Sequence, residues 1–253
     1  MHAPPRSGAE NMARDASLLA RAAATGESVF SIYSWEKPTL SFGRNQRALG
    51  QYDRAGITGR NIDVVRRPTG GRAILHHREV TYSVAAPVRE GVSLRDSYNQ
   101  INLILIAGLR SLGVDAEVAA EGSALPPSAL PCFELPSAGE IVADGRKLVG
   151  SAQWREEKAF LQHGSILIDD DQSALPSLAA DPEGEAATAP PPPATLRDLL
   201  GSTPTSGEVA AAMFGAVAEL EECAGEMLGE EHVRPGALAL LPEYLDDNWT
   251  WRR

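Results

Sequence analysis

The chain has 253 residues and a formal net charge of -11, enough for one large domain or one domain with a small appendage. That acidity argues against nucleic acid as a partner, because phosphate binding needs a basic face. No run of about 18 apolar residues offers a membrane span, and Met1-His2-Ala3-Pro4-Pro5-Arg6 lacks the apolar stretch of a signal peptide. Two cysteines make no disulfide framework, so a reducing cytoplasm is the expected setting. Zinc is not expected either, since no Cys or His pair falls at ligand spacing apart from the adjacent His76-His77. The charge is unevenly spread: residues 1–110 carry 15 Lys/Arg against 9 Asp/Glu, and residues 111–253 carry 8 against 25. The basic surplus, with Arg44, Arg47, Arg54, Arg60, Arg66, Arg67 and Arg72, offers a patch to an acidic partner.

Asn11 to Ala24 reads as a helix, with apolar Met12, Leu18 and Leu19 among alanines of high helix propensity. Val29 to Trp35 alternates apolar and polar, the pattern of a half-buried strand. Thr39 to Gly43 predicts a second strand and Ile62 to Arg67 a third, which stops at Pro68-Thr69-Gly70-Gly71-Arg72. Ala73 to His76 and Glu79 to Val84 predict paired strands beyond that glycine turn. Ser93 to Leu112 predicts a helix stopped by Gly113. Val114 to Ala119 follows as a strand.

Glu140 to Ala143 and Lys147 to Val149 flank Asp144-Gly145, a strong hairpin signal. Gly150 to Arg155 and Phe160 to Ile168 read as a further pair punctuated by glycine. The prolines from Pro190 to Pro193 predict a linker or surface loop. Glu208 to Met227 predicts an Ala-rich amphipathic helix, in which Cys223 is a structural residue. Strands outnumber helices and are joined by tight hairpins. The predicted class is therefore α+β, a mixed, largely antiparallel sheet flanked by helices. The layout is a main domain over 11–185, a Pro-rich linker or loop over 186–207, and a C-terminal helix and tail over 208–253 packed on the same domain.

The other cysteine, Cys132, stands between Pro131 and Pro136. Proline fixes φ and removes an amide donor, so this residue belongs to a stiff loop rather than a regular element. A loop thiol with Lys147 fifteen residues downstream has the makings of an activated thiolate. Three glycine-marked segments accompany it. In Arg66-Arg67-Pro68-Thr69-Gly70-Gly71-Arg72 the paired glycines allow close backbone approach to a ligand, and the arginines offer charge and paired donors. A Gly-Gly turn by itself is more often a hairpin, and neither the Rossmann nor the P-loop pattern is present. The second segment is Gly145-Arg146-Lys147 leading to Gly150-Ser151-Ala152-Gln153, and the third is Gln162-His163-Gly164-Ser165-Ile166-Leu167. Alone, Lys147 reads as a solvated hairpin lysine and His163 as a structural histidine.

Together with Cys132, Asn11-Met12-Ala13-x-Asp15, His76 and the tail Asn248-Trp249 with Arg252, these segments resemble the lipoate–protein ligase and octanoyltransferase superfamily. That superfamily shares its catalytic domain with biotin–protein ligases, and the resemblance runs from about Asn11 to Ile168. It implies a biotin/lipoate-protein-ligase-like domain. Cys132-Phe133-Glu134-Leu135-Pro136 is similar to the Cys-Phe-Asp-Ala-Pro of one octanoyltransferase branch, whereas ATP-dependent ligases usually have no cysteine there.

The resemblance therefore implies Cys132 as the acyl-carrying nucleophile and Lys147 as its partner. Arg67, Thr69, Gly70, Gly71, Arg72, His76, Gly150, Ser151, Ala152, Gln153, His163 and Gly164 would bind substrate, with Gly70, Gly71 and His76 along the acyl tunnel and His163 supporting the Lys147 strand. The implied reaction takes octanoate from octanoyl-acyl carrier protein to a lysine of a lipoyl domain of a 2-oxoacid dehydrogenase E2 subunit, or of glycine cleavage H protein. It needs no cofactor, no nucleic acid and no membrane, and the enzyme would act as a cytoplasmic monomer. An ATP- and Mg-dependent lipoate ligase, an amidotransferase between lipoyl carriers, and a domain that only binds acyl carriers are the alternatives. The chain departs from the pattern in three places: no apolar strand precedes Asn11, His77 replaces an acidic residue, and Ala16 replaces a second carboxylate.

Overall fold

The computed structural model describes residues 1–119, 139–181, 192–221 and 225–252. Cys132 and Cys223 both lie outside the described residues. Ser7 starts the first helix, α1 (Gly8–Thr25), through a capping box. Its hydroxyl accepts from the Glu10 amide while the Glu10 carboxylate accepts from the Ser7 amide at 3.1 Å, satisfying amides that a first turn otherwise leaves open. Then come β1 (Val29–Tyr33), β2 (Thr39–Phe42), α2 (Arg54–Gly59), β3 (Asp63–Arg66), β4 (Ile74–His76), β5 (Glu79–Pro87) and α3 (Leu94–Ser111). The remainder is β6 (Glu117–Val118), β7 (Ile141–Ala143), β8 (Arg146–Arg155), β9 (Ala159–Leu167), α4 (Leu196–Leu200), α5 (Ser206–Leu220), α6 (Arg234–Leu245) and α7 (Asp247–Thr250).

Two sheets result. The larger has the order β1-β5-β9-β8-β7-β6 with every neighbour antiparallel. The smaller is β3-β2-β4, in which β2 runs parallel to β3 and antiparallel to β4. The fold is thus α+β, with a largely antiparallel sheet flanked by helices. On one face α3 and α5 pack Leu105, Leu109 and Met213 against Tyr82, Val149 and Ile166. On the other, α1 lays Leu18 and Leu19 against Ala85 and Leu161. Its outer side is covered in turn by α6, where a Cβ at Gly236 would stand 2.4 Å from Ser17 Oγ. Helix α1 is therefore buried on two sides, which places its polar Asp15 in the interior.

Several local readings change. β4 and β5 do not pair with each other: β4 joins β2, and β5 lies between β1 and β9. Period-two alternation identifies strands and faces but not partners. Gly150 does not interrupt its strand, because β8 is continuous from Arg146 to Arg155. Within the stretch expected as linker or loop, Ala194 and Leu196 are fully buried, the Ala194 amide donates to the Lys147 carbonyl at 2.9 Å, and α4 begins at Leu196. No apolar strand was legible before Asn11, yet residues 1–6 run beside β1, with parallel bridges from His2 to Ile32 and from Arg6 to Trp35. Helix α6 was not anticipated, since Pro235 and Pro242 mask its pattern.

Candidate active site

The hairpin β7–β8 turns at Asp144 and Gly145, both with positive φ (49° and 70°), as a type I′ turn requires. Two residues on, Lys147 is 2 % exposed, and its Nζ lies 2.6 Å from Glu140 Oε1. Sequence reading took an isolated Lys147 for a solvated residue; the structure buries it as an ion pair. The register shifts here, with Ile141 opposite Val149 but Val142 opposite Lys147. Leu148 is thus an extra residue in β8, an irregularity of the kind that re-aims neighbouring side chains.

Further along β8, Gly150 stands opposite Ser165 of β9, and Ser151 opposite Gly164. Gly164 admits no side chain: an added Cβ would sit 2.5 Å from the Gly150 carbonyl oxygen and 2.7 Å from Tyr82 Cε1. With both glycines bare the sheet is thin at this point. A cleft with about 400 Å3 of empty space, counted out to its open mouth, is lined here by Gly150, Ser151, Ala152, His163, Gly164 and Ser165. Its other walls include Met12, Tyr33, Trp35, Arg67, Gly71 and His76. Tyr82 closes the region beneath. Its hydroxyl donates to Ser151 Oγ at 2.7 Å, and burial pushes it up to about 12 despite that bond and the one from Gln162.

The glycine loop between β3 and β4 hangs over this cleft from the smaller sheet. Arg67, 3 % exposed, is folded inward, so its guanidinium acts on the protein's own backbone. Its Nη1 donates to the carbonyl and hydroxyl of Ser41 at 3.0 and 3.1 Å, and its Nη2 to the carbonyls of Gly70 and Arg72 at 2.8 and 2.7 Å. The loop turns at Gly71 (φ 92°) and passes so close to the end of β2 that a Cβ on Gly43 would lie 2.0 Å from the Gly71 carbonyl oxygen. Arg66 is fully buried and ties the C-terminal tail to β2 through the carbonyls of Thr250 (2.9 Å) and Gly43 (2.6 Å). Two of the arginines assigned to a surface patch are therefore internal. Arg44 is only half-buried, its guanidinium 4.4 Å from the centre of the Trp154 ring and 5.5 Å from that of Trp249.

Two histidines line the cleft, each bonded at both ring nitrogens. His163 Nδ1 is 2.7 Å from Asp15 Oδ2 and its Nε2 is 2.6 Å from Thr69 Oγ1. Tyr33 also donates to Asp15 Oδ2, at 2.9 Å, and burial together with the Asp15 charge raises this phenol well above its ordinary range. His76 Nε2 is 2.7 Å from Ser41 Oγ and its Nδ1 3.0 Å from Glu79 Oε1, while its ring stacks on Trp35 at 4.0 Å between centroids. Glu79 is fully enclosed. Burial alone would raise its carboxyl, but the His76 charge and the hydrogen bonds of His76, Ser165 and Thr81 outweigh it and hold the group below the usual carboxylate range.

Of the residues expected to bind substrate, Arg67, Gly71, His76, Gly150, Ser151, Ala152, His163 and Gly164 line one cleft. Thr69, Gly70, Arg72 and Gln153 do not. Thr69 is buried behind the loop on His163, and Gln153 Nε2 turns to Gln162 at 3.3 Å. His163 belongs to β9, which pairs with β8, the strand that carries Lys147. It stands opposite Ala152, five residues along β8, or roughly 16 Å at the usual strand rise. Sequence reasoning missed Tyr33, Trp35, Ser41, Glu79 and Glu140. Glu79 carried one usable signal, its place three residues after His76, whereas the others come from separate strands and loops.

A family profile described as the lipoyl protein ligase A/B catalytic domain matches residues 7–218. Octanoyltransferase LipM of Kyrpidia tusciae is 40% identical over 273 residues, covering 100% of this chain and 98% of that protein. Octanoyltransferase LipM of Symbiobacterium thermophilum is 36% identical over 267 residues, covering 98% and 96%. Among solved structures, the bipartite lipoate protein ligase of Thermoplasma acidophilum, studied with its E2 lipoyl domain, superposes with a TM-score of 0.79 at 18% identity, covering 99% of this chain and 94% of that one. A lipoate-protein ligase A bound with ATP gives 0.78 at 19% identity, covering 99% and 96%. At that identity the two structures establish a shared fold, and with the sequence matches the assignment is firm: the chain belongs to the lipoyl protein ligase A/B catalytic domain family.

Proposed function

We propose that this protein is an octanoyltransferase that moves an octanoyl group from a thioester donor, octanoyl-acyl carrier protein, to a lysine of lipoyl domains or of glycine cleavage H protein. The observation that carries the reading is the end-to-end identity with octanoyltransferases LipM, 40% over the whole chain. The chemistry assigned to the residues is our own. Cys132 attacks the donor's thioester carbonyl as a thiolate; the carbon–sulfur bond to the carrier breaks, and the carrier thiol leaves with a proton. One thioester replaces another at nearly equal energy. The acceptor lysine, as a neutral amine, then attacks the acyl-cysteine. An amide forms, the Cys132 thiolate is expelled, and the amine proton is released.

Amide formation from a thioester is downhill, so the route uses neither ATP nor any other cofactor. Lys147 is the proposed partner: its ammonium favours the Cys132 thiolate or donates to the reacting carbonyl. A neighbouring cation can lower a cysteine from ~8.5 to roughly 3.5–7.5. The buried ion pair with Glu140 supports this role, because it fixes Lys147 Nζ in one position. Octanoyl-binding is assigned to the cleft beside Gly150 and Gly164, and the enzyme is read as a cytoplasmic monomer; among the described residues no helix is long and apolar enough to cross a membrane.

Intact-mass spectrometry after mixing with octanoyl-acyl carrier protein, without ATP, tests the reading. The expected result is an octanoyl adduct that disappears in Cys132→Ser and forms more slowly in Lys147→Ala while that variant stays folded. Absence of an adduct, with lipoylation that requires ATP, replaces this function by that of a ligase. An unchanged rate in Lys147→Ala removes Lys147 from the reaction.

A further inference from the structure

The cleft lies between the two sheets. Two hydrogen-bond relays built on the same plan cross from the glycine loop to the larger sheet. In the first, Thr69 of the glycine loop meets His163 of β9 at 2.6 Å, and His163 meets Asp15 of α1 at 2.7 Å. In the second, Arg67 Nη1 donates to Ser41 Oγ of β2 at 3.1 Å, Ser41 meets His76 at 2.7 Å, and His76 meets Glu79 of β5 at 3.0 Å. Each relay begins at the glycine loop, passes a hydroxyl and an imidazole, and ends on a carboxylate buried against the larger sheet.

One end of each relay is set by donor and acceptor chemistry: a carboxylate only accepts, so Nδ1 of each histidine carries a proton. At Nε2 the partner is a hydroxyl, Thr69 Oγ1 in one relay and Ser41 Oγ in the other, which can donate or accept. Ser41 Oγ also accepts from Arg67 Nη1. All of these groups are nearly closed to solvent: Thr69, Ser41, Asp15, Glu79, Arg67, His76 and His163 are each at most 5 % exposed. Displacing the loop would pull Thr69 or Arg67 off these enclosed partners and strand a donor away from water, which favours a single position of the loop.

We infer that the Thr69–His163–Asp15 and Ser41–His76–Glu79 relays set the spacing between the glycine loop and the larger sheet, so that Thr69 and Ser41 are positioning residues for the acyl chain in the cleft. The identity of that chain rests on the octanoyltransferase reading; the anchoring of the loop does not. Neither Thr69 nor Ser41 lines the cleft. Each acts through a histidine that lines it.

Thr69→Val keeps the side-chain shape and removes the hydroxyl, Thr69→Ser keeps the hydroxyl, and Ser41→Ala interrupts the second relay. Two readouts apply: deuterium uptake of the peptide spanning residues 67–72, and KM and kcat with octanoyl-acyl carrier protein. Losing one buried hydrogen bond is worth about a tenfold change in an equilibrium. Thr69→Val should therefore raise loop exchange and KM by about tenfold each, with kcat held within about threefold. Thr69→Ser should restore both. Should Thr69→Val not fold, Ser41→Ala takes the same readouts.

Unchanged loop exchange overturns the anchoring, and faster exchange with an unchanged KM overturns the positioning role. A wild-type protein that transfers no octanoyl group sinks the functional reading instead, while the exchange measurement still decides whether the relays hold the loop.

Discussion

Asp15 is the group on which three elements converge, so its removal tests the polar architecture beneath the cleft. The carboxylate is 1 % exposed and takes hydrogen bonds from Tyr33 OH at 2.9 Å and His163 Nδ1 at 2.7 Å. Asp15→Ala leaves both donors enclosed without their acceptor. A stranded buried donor costs about 1–3 kcal/mol, so two of them cost about 2–6 kcal/mol, with about 3 kcal/mol as the working figure once relief of the buried carboxylate is counted. With a urea slope of about 3 kcal/mol per molar, the midpoint should fall by about 1 M. Tyr33→Phe alone should cost about 1.5–3 kcal/mol, the range for a hydrogen bond to a charged group. In the Asp15→Ala background the same change should be neutral or stabilising, because it deletes a hydroxyl that has already lost its acceptor. The assay is a double-mutant cycle by urea denaturation. Simple additivity of the two losses would refute the argument, since it would mean that Tyr33 and Asp15 are not coupled.

Gly164→Ala should destabilise by about 1–3 kcal/mol, the usual cost of overpacking, because the Gly150 carbonyl 2.5 Å away is backbone in a central strand pair and cannot step aside. A melting temperature lower by about 2–10 °C would register that loss; no change would mean that the strand pair opens freely. Glu79 predicts a pH dependence. Its folded value lies below the ordinary 4.5, so its stabilising contribution is complete above that pH and is lost as pH falls through the lower folded value. Glu79→Gln should therefore lose about 2 kcal/mol at neutral pH and show a flatter acid limb; parallel stability curves for the two proteins between about pH 3 and 6 would contradict the shift.

The parts of the fold legible in the sequence are those decided by neighbours along the chain. Asp144-Gly145 predicts its hairpin because only a turn with two positive φ angles joins those strands. The Ser93 helix begins where its capping box begins, with Asp96 answering Ser93. The partner of a strand was not legible: Ile74–His76 and Glu79–Pro87 are separated by two residues yet enter different sheets. Alternation reports which face a residue takes and carries no address for the neighbour across the ladder.

The site divides along the same line. Motif spacing marked His76, His163, Gly150 and Gly164, and all four meet at one cleft. Their chemistry depends on residues supplied by other elements. Asp15 reaches His163 across 148 positions and Thr69 across 94, and Lys147 is an ion-paired group rather than a solvated one because Glu140, just ahead of β7, lies against it. The sequence by itself determined the elements, their glycine turns and the residue types the chemistry needs, because these follow from local backbone preference and composition. Tertiary structure alone decided which histidine faces which carboxylate, which arginines serve the backbone instead of a partner, and where the two sheets stand apart. Those are contacts between distant segments, fixed by burial and by the cost of leaving an enclosed donor without an acceptor.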